Sequence, residues 1–273
     1  MDFIDEQNGQ NGSYYVFREA ANTDELLELF HLRYQVYRHS KLARFIPENE
    51  YGIDLDCYDL RAGHFGLFRV EEGIEHPMGY LRVAEDREVT GQTDVMELVN
   101  QFPNLTFKLE GTPPQAFPLM TYFSDVDAVK EVYGKIKERG ERLVEACRFA
   151  LEEYSRSLRL AKHMVESAIA IYFFHYQFEH AMWCCDSSNK AFYRLYGFRP
   201  LAGIKEEDFA GIGASSCCVF GSAVGVPSPD RGRLMQMAKV YGEEGRICYF
   251  PYDPNQFCEE TVSLEVKAVP AVS

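Results

Sequence analysis

Residues 143 to 151 read LVEACRFAL, an apolar run that carries two opposite charges, Glu145 and Arg148. A short apolar run without helical spacing predicts a buried strand. Because an unpaired ion inside a protein costs several kcal/mol, both charges require partners from distant parts of the chain.

A second stretch, IDLDCYDL at residues 53 to 60, places three aspartates among apolar and aromatic residues. A solvated acidic run does not interleave residues such as Ile53 and Leu55 so regularly, so some of the carboxylates face inward. Arginine suits them, because its planar guanidinium forms two parallel hydrogen bonds with one carboxylate. Two arginines in apolar surroundings are available, Arg33 in LRYQVY and Arg82 in MGYLRVA.

We expect these charges to converge in one candidate site. It contains four acidic and three basic groups, which are Asp54, Asp56, Asp59 and Glu145 with Arg33, Arg82 and Arg148. The alternative is a purely structural ion network, which gains little over an apolar core. Such a cluster can hold a charged ligand, and one of its carboxylates can accept a proton as a general base. Candidates for this catalytic role are Asp54, Glu145 and Asp56, and the sequence does not choose between Asp54 and Glu145 as the base.

Composition limits the other functions. The chain has 273 residues, 46% of them hydrophobic, and a net charge of −14, which argues against nucleic acid or anionic membranes as partners. No apolar stretch approaches the roughly 18 residues of a spanning helix, and the first residues lack a signal-peptide pattern. We therefore expect a cytoplasmic protein. The eight cysteines form no CxxC pair, so we expect no metal site.

The hydrophobic pattern predicts alternating strands and helices. Predicted strands are 14–17, 64–70, 78–84, 143–151 and 181–185, with a turn at 71–77 between the second and third. Predicted helices are 23–41 with Thr23 as N-cap, 125–142, 160–180, and 189–196 ending at Gly197. Residues 85–120 hold four prolines and read as an irregular insertion or lid.

This order predicts an α+β fold, a three-layer α/β/α sandwich with a central mixed, mostly antiparallel sheet. The expected organisation is a disordered arm at 1–13, one domain at 14–200 that contains the insertion, and a less regular extension at 201–273. We expect that extension to pack on the same domain.

The residues also resemble a known superfamily. The stretch SSNKAFYRLYGFRP at 187–200 resembles the end of GNAT-type N-acyltransferase domains. The ordered set around Arg33, the aspartates, Arg82 and E-x-x-R at 145–148 resembles the acyl-homoserine-lactone synthases and the long-chain N-acyl amino acid synthases. It is also similar to acyltransferases of exosortase systems. The resemblance covers roughly residues 14 to 200.

The resemblance implies a GNAT-like fold and an N-acyltransferase. Such an enzyme moves a fatty acyl group from acyl carrier protein, or acyl-CoA, to the amine of an amino acid or similar small acceptor. It holds no permanent cofactor, because the donor is an acyl-phosphopantetheine thioester. Arg33, Asp59, Arg82 and Arg148 would bind substrate. The alternatives are an acyl-homoserine-lactone synthase and a non-catalytic module that binds acyl groups or a carrier.

Three departures from the superfamily pattern bear on the acceptor. The first acidic position is Asp54 instead of Glu, Arg82 and Glu145 lie 63 residues apart, and the only tryptophan is Trp183. These differences favour an amino acid or another amine over S-adenosylmethionine.

The donor site is predicted from the segment after the E-x-x-R strand. Residues 153–159 contain no glycine, unlike GNAT loops whose backbone amides hold pyrophosphate. Arg156, Arg159 and Lys162 form a local basic patch that would suit an acidic acyl carrier protein. The alternative is a solvated helix start.

Other features are predicted to be mainly structural. The aromatic-rich helix at 160–180 fits the core, although it could also wall an acyl tunnel. We expect His175 and His180 to be structural, and His64 is a candidate for orienting an aspartate. GIGASSC at 211–217 lacks the ending of a phosphate-binding loop and is predicted to be a turn or strand.

Overall fold

The three-dimensional structure of the chain is a computed structural model. It describes residues 13–46, 48–88, 94–102, 115–122, 126–153, 157–204, 206–208 and 215–251. Predictions for residues 1–12, for Arg156 and for residues 252–273 lie outside the described residues.

The described residues form a nine-stranded sheet in the order β6-β8-β5-β4-β3-β2-β1-β9, with β7 also paired to β8. Its strands are β1 Tyr14–Glu19, β2 Ala62–Glu71, β3 Ile74–Glu85, β4 Leu143–Leu151, β5 His180–Asp186, β6 Arg199–Pro200, β7 Glu207–Asp208, β8 Ser215–Ser222 and β9 Arg246–Tyr249. Strands β4 and β5 run parallel, whereas the other pairs are antiparallel. The predicted mixed, mostly antiparallel sheet is confirmed.

Helices cover both faces of this sheet. They are α1 Thr23–Arg38, α2 Asp94–Gln101, α3 Leu119–Tyr122, α4 Val126–Glu138, α5 Leu158–Ile169, α6 Lys190–Arg194 and α7 Ser228–Glu244. A π-helix at Ala170–His175 continues α5. Along β3, Tyr80 and Ala84 face the layer of α1, α2 and α4, while Leu81 and Val83 face α5 and α7. The predicted three-layer sandwich is confirmed.

The central hairpin is built more tightly than the sequence pattern indicates. Strands β2 and β3 are joined at Glu72 and Gly73, which both have positive φ, 52° and 79°. A two-residue turn of this kind matches the twist of the flanking strands, so a longer loop is not required. The predicted turn at 71–77 is therefore too long, because β3 already begins at Ile74.

Several predicted helix boundaries are wrong. Asn22 caps α1 instead of Thr23, because its side chain accepts the Glu25 N–H at 2.9 Å. The helix predicted at 160–180 ends its α-helical part at Ile169 and its π-helical part at His175, and His180 begins β5.

The insertion and the extension are also more regular than predicted. Helix α2 lies inside the insertion, and its short apolar stripe at Val95, Leu98 and Val99 is buried. Helix α7 packs against α5 and the π-helix, and β9 pairs with β1. Helix α7 buries few of its residues. Its sequence therefore lacks a clear apolar stripe from which a 17-residue helix could be predicted.

No helix in the described part of the chain has both the length and the apolar character needed to cross a membrane.

Candidate active site

The acidic loop before β2 is held in place by its apolar residues. Ile53, Leu55 and Tyr58 are each no more than 2% exposed, and Ile53 and Leu55 pack with residues of α1 and β3. Because these anchors lie inside, Asp54 and Asp59 are also carried into the interior, where they are 0% and 1% exposed. The alternation in the sequence thus produces a buried acidic surface.

Two backbone amides fix the shape of this loop. The Tyr58 N–H donates to Asp56 Oδ1 at 2.9 Å, and the Asp56 N–H donates to Asp59 Oδ2 at 2.8 Å. Aspartate side chains commonly close such turns by bonding nearby backbone groups. The loop is therefore organised before the arginines are considered.

Arg33 lies on the buried face of α1 and is fully buried. Its Nη1 and Nη2 donate to the two carboxylate oxygens of Asp59 at 2.9 and 3.0 Å. Its Nε lies 2.9 Å from Asp54 Oδ2, and its Nη2 also contacts the Asp54 carbonyl oxygen. The pair of bonds to Asp59 is the two-pronged geometry in which arginine binds a carboxylate most strongly.

Asp59 is the centre of the cluster, because Arg82 on β3 also donates to it from Nη1 at 2.9 Å. Burial alone would raise the pKa of Asp59, but the guanidiniums of Arg33 and Arg82 hold it well below its usual range. Arg82 is 1% exposed and also donates to Asp56 Oδ1 at 2.7 Å. These groups are therefore ionised and mutually neutralising.

Asp56 and Arg148 form the edge of the cluster that solvent reaches. Their side chains are 14% and 20% exposed, and Arg148 Nη2 donates to Asp56 Oδ2 at 3.0 Å. Burial opposes ionisation of Asp56, yet Arg82 and Arg148 keep the pKa of its carboxyl below the ordinary value. A ligand that meets the cluster therefore meets these two residues first.

Strand β4 carries a bulge at Arg148. Two register pairs flank it, Tyr80 opposite Ala150 and Arg82 opposite Cys147. Arg148 and Phe149 therefore share the space opposite Leu81 alone. Arg148 has φ of 53°, a left-handed conformation that costs a residue with a side chain about 1–2 kcal/mol. Bulges of this kind re-aim side chains and recur beside active sites.

Glu145 lies on the same strand and differs from the aspartates. It is 2% exposed, and its Oε2 accepts the N–H of Leu119 at 2.8 Å. Burial raises the pKa of Glu145 to about 8, although the Leu119 N–H and Arg82 partly oppose the shift. This carboxyl therefore exchanges its proton close to neutral pH, whereas Asp56 and Asp59 stay ionised.

His64 supports the cluster through the backbone instead of through a carboxylate. Its Nε2 lies 2.9 Å from the Asp59 carbonyl oxygen, which only accepts, so Nε2 carries the proton. Burial lowers the pKa of His64 to about 4, so the ring is neutral and Nδ1 accepts from Tyr80 Oη at 2.8 Å. The same oxygen accepts from Arg33 Nη1 at 2.9 Å. His64 therefore contacts Asp59 through the backbone of that residue, and its role in orienting an aspartate stays a prediction.

The last part of the predicted lid packs over Glu145. Arg61 Nη2 donates to the carbonyl oxygens of Gln115 and Ala116 at 2.5 and 2.6 Å. Leu119, which donates its N–H to Glu145, is itself 2% exposed. This segment shields Glu145 from water and so contributes to its raised pKa.

A gap between strands opens beside the bulge. The parallel pairing of β4 and β5 runs only as far as Ala146 and Trp183, although both strands continue. An apolar cavity of about 10 Å³ lies at this point on the α5 side, lined in part by Val144, Tyr172 and Phe198. The helix predicted as a tunnel wall contributes to this cavity but mostly fills the core.

A second charged cluster lies on the opposite side of the sheet. Glu166 of α5 is 4% exposed and accepts from Arg233 at 2.6 and 2.8 Å and from Tyr196 Oη at 2.7 Å. Lys162 Nζ lies 3.5 Å from Glu166, and Arg159 is exposed one turn earlier. The two described members of the predicted donor patch are therefore surface cations beside this cluster.

The two histidines predicted to be structural, His175 and His180, make contacts within the fold. His180 Nε2 lies 2.7 Å from Glu141 Oε2, and the His175 ring meets the Tyr241 ring edge-on at 5.2 Å. Within GIGASSC, the described residues 215–217 belong to β8.

The structure thus joins Arg33, Asp54, Asp56, Asp59, Arg82 and Arg148 in one network, with Glu145 beside it. The contacts of Tyr80 and Cys147 with the network were not predicted from the sequence. Cys147 Sγ accepts from Arg82 Nε at 3.2 Å, and burial raises the pKa of this thiol to about 11. Both residues stand within the quoted motifs, one or two positions from an arginine, which was the available signal.

Comparison with known proteins gives the fold. No protein-family model and no curated protein matches the chain. Among solved structures, FeeM, an N-acyl amino acid synthase from uncultured soil microbes, is similar with a TM-score of 0.50 at 14% identity, over 83% of this chain and 98% of FeeM.

Two lactone synthases are also similar. The CoA-dependent acyl-homoserine lactone synthase BjaI matches with a TM-score of 0.47 at 14% identity, over 83% of this chain and 90% of BjaI. The AHL synthase LasI matches with a TM-score of 0.44 at 16% identity, over 78% and 91%. The fold of this chain is that of the GNAT-type acyltransferases.

Proposed function

We propose that the protein is an N-acyltransferase that moves a fatty acyl group from a phosphopantetheine thioester to the amine of a small acceptor. The observation that carries the proposal is Glu145, a buried carboxyl with a pKa of about 8 beside a fully ion-paired cluster and a strand bulge. A general base works best when its pKa lies near the operating pH.

In the proposed reaction the acceptor arrives as an ammonium ion at the edge of the cluster. Ionised Glu145 takes one proton from it, and the free amine nitrogen attacks the thioester carbonyl carbon. The carbon–sulfur bond breaks as the amide bond forms. The sulfur leaves as a thiol after it receives the second proton that the nitrogen loses. No covalent enzyme intermediate is required, because the thioester is already activated.

The other charges have positioning roles in this proposal. Asp56 and Arg148 are the exposed members of the network and would hold the ammonium and a carboxylate of the acceptor. Asp54, 0% exposed and paired to Arg33, is better suited to fixing Arg33 and Arg148 than to taking a proton. FeeM, with the same fold, is an N-acyl amino acid synthase, which is the precedent for an amino acid acceptor.

The donor would enter between β4 and β5. Their pairing ends at Ala146 beside the apolar cavity, whose lining side chains are uncharged, and an acyl chain that enters there would have to displace them. Arg159 and Lys162 lie at the start of α5 and would attract an acidic carrier protein.

The test is incubation with fatty acyl thioesters of acyl carrier protein and of CoA, each with a panel of amino acids, simple amines and S-adenosylmethionine. Mass spectrometry of the products then identifies the reaction. An N-acyl amine whose formation slows strongly in the control variant Glu145→Gln supports the proposal. A lactone indicates the alternative reaction of an acyl-homoserine-lactone synthase, and donor binding without any product indicates a non-catalytic module.

A further inference from the structure

Tyr37 is joined to the bulge in β4 by one hydrogen bond. It lies on α1, is 7% exposed, and its hydroxyl donates to the Phe149 carbonyl oxygen at 3.1 Å. Phe149 is one of the two residues that the bulge leaves opposite a single residue of β3. A bulge disrupts the ladder locally, so a backbone group there needs a partner from another element.

The ring of Tyr37 also contacts the residue that the bulge re-aims. The Arg148 guanidinium lies 5.8 Å from the centre of the Tyr37 ring, within the range of cation–π attraction. Burial raises the pKa of Tyr37, so the hydroxyl keeps its proton and remains a donor. One side chain therefore touches both residues of the bulge.

The spacing on α1 connects this contact to the ion network. Arg33 and Tyr37 are four positions apart, so they project from the same face of the helix. Arg33 donates a hydrogen bond to Asp59, and Tyr37, one helical turn further along, donates one to β4. The helix thus fixes the position of the network relative to the bulge.

We propose that Tyr37 is a positioning residue whose hydroxyl clamps the β4 bulge and so aims Arg148 at the acceptor. The inference rests on the proposed function, because it gives Arg148 an acceptor to hold. Left-handed Arg148 is intrinsically unfavourable, so the bulge persists only where surrounding contacts enforce it. Removing a single atom, the hydroxyl oxygen of Tyr37, eliminates its hydrogen bond to the bulge.

The experiment compares Tyr37→Phe with Tyr34→Phe. Tyr34 is equally buried on the same helix, and its hydroxyl makes no hydrogen bond within the described residues. Loss of one hydrogen bond at the bulge should raise the KM for the acceptor about tenfold in Tyr37→Phe, with the donor KM within about twofold. A purely structural role would instead reduce the active fraction and leave both KM values unchanged.

Hydrogen exchange gives a readout that does not depend on activity. Peptides that cover residues 147–151 should exchange faster in Tyr37→Phe than in the wild type, and at the wild-type rate in Tyr34→Phe. Unchanged exchange in Tyr37→Phe overturns the clamp, and faster exchange with an unchanged acceptor KM overturns the role in aiming Arg148. If the wild type forms no product, the proposed function fails, while exchange still decides whether the hydroxyl holds the bulge.

Discussion

Two buried carboxylates, Asp59 and Glu166, lie on opposite faces of the sheet, and each forms ion pairs with arginine. The arginines of Asp59 are buried to 0% and 1% exposure. The cations of Glu166 are surface residues, Arg233 with a side chain 29% exposed and Lys162 at 46%. Both carboxylates are paired, yet only the first pairing required cations to be taken fully out of water.

Under the proposed function, this difference separates the candidate active site from a structural contact. Complete desolvation of ion pairs gains little stability over an apolar core, so a fold that retains several at one place requires another reason. Beside Asp59 stand a strained bulge and a carboxyl, Glu145, that titrates near pH 8. Glu166 joins α5, α7 and Tyr196, which is sufficient as a structural role.

The largest effect is expected from Asp59→Asn. It leaves Arg33 and Arg82 buried without their shared counter-charge, which should lower the free energy of unfolding by about 3–5 kcal/mol and abolish acylation. Chemical denaturation and product formation measure the two effects. A stable, active Asp59→Asn protein would show that the two clusters do not differ in the way described.

Glu166→Gln is the matched change in the second cluster. Because Arg233 and Lys162 are partly exposed, water can solvate them, and the expected loss is about 1.5 kcal/mol in unfolding free energy. We expect kcat/KM within about threefold of wild type at a temperature where the variant is folded. A hundredfold loss of activity would place the second cluster in the catalytic machinery.

The smallest effect is expected from charge reversal on the surface beside Glu166, which tests whether that surface binds the donor. Arg159→Glu with Lys162→Glu should raise the KM for a carrier-bound donor about fivefold, because rim charges steer an acidic partner. The KM for the same acyl group on a short pantetheine should not change. Lys135→Glu, a charge reversal at another exposed lysine on α4, is the control. Equal effects on both donors would remove carrier recognition from this surface.

Much of the first cluster could be predicted because its signals are local. Charges at Glu145 and Arg148 interrupt an apolar strand, and the aspartates alternate with apolar residues, so inward charges and arginine partners follow from the cost of burying unpaired ions. The hairpin of β2 and β3 likewise follows from two apolar strands around a Glu-Gly turn.

The remainder depends on information that the local pattern lacks. The bulge at Arg148 arises from the register of β4 against β3, which sequence periodicity does not specify. The pKa of Glu145 depends on the segment around Leu119, which reaches it from 26 positions away. Helix α7 buries mainly Leu234, Ala238 and Tyr241, too few apolar residues for a clear helical stripe.

The proposed reaction depends most on Glu145 as the proton acceptor, and the pH dependence of kcat/KM in wild type and Glu145→Gln tests this role directly. The amine of the acceptor titrates equally in both proteins, so the ratio of their kcat/KM values reports Glu145 alone. The pKa of about 8 predicts that this ratio rises about tenfold per pH unit below pH 8 and then levels off. Glutamine resembles the protonated carboxyl, so thermal unfolding near neutral pH should change little. A ratio that is constant with pH, or close to one throughout, would contradict the account.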